Sequence, residues 1–114
     1  MATAIHPELN LDVLLYREDG EWLAHCLQLD LVEAGPTPDE AEENLTGVIQ
    51  HHIQWAIEDD DMEHLFHPAP ADVWKRFFGA QVKGFREIPL ILAPGRVAAP
   101  PAVRIQRATA DARV

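Results

Sequence analysis

The sequence predicts an α+β fold. The expected form is a β-β-β-α-β two-layer sandwich: a small mixed sheet covered on one face by one long helix, plus a short second helix. Three observations carry this. Alternating apolar residues stop at an Asp19-Gly20 pair and then resume. A capped run at helical spacing begins at Thr37. A further strand-like run, EIPLIL, occupies residues 87–92.

Each element has its own physical warrant. Leu9, Leu11, Val13 and Leu15 recur at period two, so one face of the first strand packs. Asp19-Gly20 suits a two-residue hairpin loop, because glycine takes positive φ without steric cost. Trp22, Ala24 and Cys26 share one face of the return strand. Residues 31–34 form a weaker third strand, stopped by Gly35 and Pro36. Thr37 is the expected N-cap, Pro38 suits the first helical position, and Glu40 completes a capping box. Ala41, Leu45, Val48, Ile49, His52, Ile53 and Ala56 then form a single stripe. The helix is expected to fade near Glu58, where three aspartates oppose its dipole.

Residues 70–78 predict the short helix, closed by Gly79, with Val73, Trp74, Phe77 and Phe78 as its apolar load. Pro89 within 87–92 predicts an edge strand or a bulge. A right-handed crossover would lay that strand parallel to the first. The expected organisation is one α+β domain over residues 1–93, followed by a flexible Pro/Ala/Arg-rich arm over 94–114.

Composition narrows the function classes. The net charge of −10 disfavours nucleic acid as the main partner. Residues 1–66 hold 16 acids and one base, Arg17, whereas residues 67–114 hold eight bases and three acids. On composition alone this reads first as a solvated acidic surface; the same field would steer a basic protein partner toward the acidic part. One cysteine, Cys26, excludes an internal disulfide and fits a reducing cytoplasm. The N-terminus lacks a basic-then-apolar pattern, so no secretory signal is expected, and no apolar run reaches membrane-spanning length.

The run Asp19-Gly20-x-Trp22-x-Ala24-x-Cys26, then Gly35-x-Thr37-x-x-Glu40-Ala41-x-x-Asn44-Leu45, resembles the HicB-like antitoxin domain over roughly residues 9–58. The resemblance implies a truncated ribonuclease-H-like fold. It also implies an acidic protein that binds a small basic ribonuclease toxin, occludes its active site and catalyses nothing. Many such proteins carry a DNA-binding module next. Residues 62–114 show no helix-turn-helix or ribbon-helix-helix pattern, so DNA binding is not expected here. Charge and expected exposure select Glu18, Asp19, Glu21, Asp39, Glu42 and Glu43 as partner-binding residues. Exposed edges and aromatics also predict a homodimer or higher homo-oligomer.

No catalytic, cofactor-binding or metal-binding residue is assigned. His25 and Cys26 are neighbours on a strand and point to opposite faces, so they make no nucleophile–base pair. A ribonuclease-H-type metal site needs carboxylates from several strands, and here the first strand offers only Asp12 while Glu33 lies on the third. Arg96, Arg104, Arg107 and Arg113 are expected against the protein's own acidic domain rather than on phosphate. Two alternatives stay open. One is a stand-alone oligomeric module binding a small ligand or protein through the aromatic segment between Trp55 and Phe78. The other is a metal-dependent hydrolase using His64, His67 and Asp61.

Overall fold

Period-two alternation puts Leu11, Val13 and Leu15 on one side of the first strand and Leu14 and Tyr16 on the other, and all five are buried. Both sides of that strand are therefore covered, which makes it central. The computed structural model describes residues 8–89 and 102–110. In chain order the elements are β1 (Glu8–Glu18), β2 (Glu21–Cys26), β3 (Leu31–Gly35) and α1 (Pro38–Glu58). A 3-10 turn (Met62–Leu65), α2 (Ala71–Phe78), β4 (Gln81–Ile88) and β5 (Ala102–Thr109) follow. The five strands form one mixed sheet in the order β3-β2-β1-β5-β4. β1 and β5 are parallel, and every other pair is antiparallel.

The architecture is α+β, with the long helix packed on one face of the sheet. Ala41, Leu45, Ile49, Ile53 and Ala56 of α1 meet Leu11, Val13, Leu15, Ala24, Cys26, Val103 and Ile105 in the larger core. Burying each large aliphatic side chain contributes about 1.5–3 kcal/mol. Val48 is half-buried and His52 is exposed, so the stripe is narrower than its spacing suggests. The opposite face has a smaller core of Leu14, Tyr16, Leu27 and Ala69, against which Leu23, Val73, Trp74 and Phe77 pack. Helix α2 thus covers the far side of the sheet.

Two expectations change. The arm expected over residues 94–114 contains β5, which lies between β1 and β4. Its Val103 and Ile105 are buried under α1, while Arg104 between them is exposed. That alternation is the signature of a half-buried strand, hidden in a segment rich in Ala, Pro and Arg. Second, the parallel neighbour of β1 is β5 and not residues 87–92. β4 starts earlier, at Gln81, and stops at Ile88, because Pro89 has no N–H to give a ladder. β4 is an edge strand with a bulge between Val82 and Gly84, where Gly84 takes a φ of 120°. Residues 90–92, 94–101 and 111–114 lie outside the described residues.

Among the described residues no helix is long and apolar enough to cross a membrane.

Candidate functional site

The β1–β2 turn has positive φ at both central residues, 52° at Asp19 and 83° at Gly20. This twist matches that of the strands it joins. It leaves Glu18, Asp19 and Glu21 exposed at the tip. Arg17 pairs with Trp22, and Trp22 pairs with Gly35, so β3 ends beside the hairpin tip. Two residues later Thr37 caps α1 by accepting a hydrogen bond from the Glu40 backbone N–H at 3.1 Å. The hairpin acids and the first turn of the helix therefore share one end of the molecule.

Three residues fix the helix start against the sheet. A Cβ on Gly35 would lie 2.5 Å from the Ala41 nitrogen, so only glycine lets the helix approach the sheet this closely. Ala41 is fully buried at the contact. The Asn44 amide donates to the Ala34 carbonyl of β3 at 2.9 Å, which ties helix to strand. The polar residue beside Leu45 is thereby explained.

Five of the six selected acids are exposed there: Glu18, Asp19, Glu21, Asp39 and Glu43, with Glu40 beside them. Glu42 is not, and its expected place on a docking surface is corrected. It is 3% exposed. Its carboxylate accepts from Arg86 at 2.7 Å and from Arg107 at 3.1 Å. A buried carboxylate needs such partners to offset the loss of water. Arg86 also reaches Glu43 at 3.0 Å. These bonds, that to Glu42 first, raise the pKa of Arg86 further. The helical spacing of Glu42 with Leu45, Thr46 and Ile49 was the available signal, since all four share the buried flank.

The arginines of the C-terminal segment behave in part as expected. Arg107 meets the protein's own acid, whereas Arg104 stacks on Phe85 at 4.1 Å. Arg96 and Arg113 lie outside the described residues.

The candidate chemical groups do not converge. Cys26 faces α1, and burial pushes its thiol up to about 12. His25 faces the other way. It is 5% exposed, contacts Asp30 at 2.7 Å through Nε2, and has the Tyr16 hydroxyl 3.5 Å from Nδ1. Burial, chiefly, raises the Tyr16 pKa, and Arg76 lies over its ring at 4.4 Å. This Tyr16–His25–Asp30 chain was not legible beforehand, because Asp30 reaches back from a turn with positive φ.

Asp12 and Glu33 project from opposite faces of the sheet. Asp12 accepts from the Gln28 amide at 2.7 Å, while Glu33 pairs in register with Ala24 on the α1 side. They do not form a metal cradle. His64 pairs with Asp61, whereas His67 is drawn elsewhere: its backbone N–H donates to the Gln28 carbonyl at 3.0 Å. Among the described residues no three His, Cys, Asp or Glu side chains are placed to hold a metal ion, so the His64, His67 and Asp61 set of the hydrolase alternative does not assemble. Trp74 and Phe77 are half-buried on the sheet, while Phe78 and Trp55 are 75% and 63% exposed.

Comparison with protein-family models, with curated proteins and with solved structures finds no match.

Proposed function

We propose that this chain is an antitoxin-like protein that binds a small basic ribonuclease and covers its RNA-binding surface, without catalysis of its own. One observation carries the reading. Glu18, Asp19, Glu21, Asp39 and Glu43 are exposed together at one end of the sheet, on the β1–β2 hairpin and on a helix start fixed against β3 by Gly35 and Asn44 and capped by Thr37. A preformed acidic surface attracts a cationic partner and loses little ordering entropy on docking. The reading places the chain in the cytoplasm, where its partner would meet RNA.

The test takes any small basic protein that the adjacent reading frame encodes. Mixed with this chain, it is expected to form a stoichiometric complex and to lose RNA cleavage. A Glu18→Lys, Asp19→Lys, Glu21→Lys variant is expected to bind at least about tenfold more weakly, and wild-type binding to weaken steeply with salt. A folded variant that protects RNA as well as the wild type would refute the assigned surface.

A second reading has its own support. Phe78, Val82 and Phe85 are 75%, 55% and 56% exposed around α2 and β4. A homo-oligomeric binding module would use such residues. Light scattering of the purified chain separates the two: a concentration-independent monomer argues against it.

A further inference from the structure

The C-terminal end of α1 breaks a rule that its N-terminal end obeys. Helix carbonyls make this end negative, and cations in the last turn normally compensate. Here the last turn has no basic residue, and Glu58, Asp59, Asp60 and Asp61 follow one another, all exposed. Beside them stands Trp55, a large aromatic left 63% exposed on an otherwise well-patterned helix. Trp55, Asp59 and Asp61 wall a concave site floored by Ala56 and Leu65. Its volume is about 150 Å³. That is well below the ~300–1,000 Å³ of a typical small-molecule pocket.

The two histidines at its rim are already oriented. His52 Nδ1 donates to the Val48 carbonyl at 2.9 Å, and His64 Nδ1 is paired with Asp61. Their remaining ring nitrogens are left for other contacts. The His51 ring lies 6.4 Å from that of Trp55, which is otherwise largely exposed, and an exposed indole with carboxylates in the same site attracts a planar cation through the ring quadrupole and through charge.

We propose that this site receives an arginine side chain of a protein partner, the guanidinium stacking on Trp55 and bonding Asp59 and Asp61. The inference rests on the reading that the partner is basic. It adds an anchor at the opposite end of α1 from the hairpin acids, about 30 Å away at 1.5 Å per residue. Arginine suits the site better than lysine, because its flat group fits between an indole and a pair of carboxylates.

The probe is a capped arginine-rich hexapeptide added to the full chain, read by the indole N–H signals of Trp22, Trp55 and Trp74. The Trp55 signal is expected to shift saturably while that of Trp74 stays still; a shift of Trp22 would report the hairpin acids and not this site. Trp55→Ala, and separately Asp59→Asn with Asp61→Asn, should weaken binding about tenfold, with the remaining spectrum unchanged. A citrulline hexapeptide, equal in shape but uncharged, should leave the spectrum untouched.

The proposal is overturned if Trp55 does not respond, if citrulline works as well as arginine, if the variants bind like the wild type, or if zinc alone reproduces the shift. Its failure differs from failure of the occlusion reading. A basic ribonuclease that binds at the hairpin acids while Trp55 is silent removes only this anchor. A Trp55 response to the peptide without any ribonuclease partner removes only the occlusion.

Discussion

Cys26 shows how burial alone sets the chemistry of a residue. Its sulfur packs between the sheet and α1, away from His25, and the thiol is pushed from an ordinary value near 9 up to about 12 by desolvation. Such a thiol is a poor nucleophile. The raised value also has a sign for stability. Below pH 9 the thiol is neutral in both states and its contribution is complete. Between pH 9 and 12 the unfolded chain ionises first, so stability falls as pH rises. Urea unfolding across that window is expected to show the fall, and Cys26→Ala to lessen it. The raised Tyr16 hydroxyl acts in the same direction and leaves a residual slope. Iodoacetamide should label Cys26 only in the unfolded chain. Cys26 was legible as a small core residue from its alternation with Trp22 and Ala24. The Tyr16–His25–Asp30 chain was not, since a turn conformation at Asp30 completes it.

Helix α1 joins the two halves of the sheet through one side chain. It packs chiefly on β2 and β3, yet Glu42 reaches Arg86 of β4 and Arg107 of β5. Both arginines keep some contact with water, at 34% and 27% side-chain exposure, which limits the cost of losing their partner. Glu42→Ala is therefore expected to destabilise by about 1–3 kcal/mol, less than a fully buried pair would lose. Chemical denaturation measures this. A change below about 0.5 kcal/mol would show that the triad adds nothing beyond its own desolvation. The start of α1 was readable from local chemistry, because Thr37, Pro38 and Glu40 act within one turn. The role of Glu42 was not, because its partners lie 44 and 65 residues away.

For the whole molecule, β5 is the decisive segment. Among the described residues it gives β1 its parallel neighbour and β4 its only strand partner. A chain ending at residue 93 keeps everything the local patterns mark as a domain. It is nonetheless expected not to fold, because it loses buried Val103, Ile105 and Ala108 and exposes the ladder edge of β1. Circular dichroism and amide dispersion of the truncated chain are the check. A well-dispersed, cooperatively melting fragment would mean that residues 102–109 are an accessory strand.

The hairpin, the capped helix, the apolar stripe and the acidic character of the first 66 residues all follow from contacts within a few positions, and these the amino-acid order settles unaided. Which strand lies beside β1 and which acid is withdrawn from the surface depend on segments far apart in the chain. Only packing decides among such pairings, because many distant partners are sterically possible and burial selects the one that leaves fewest charges and ladder groups unpaired.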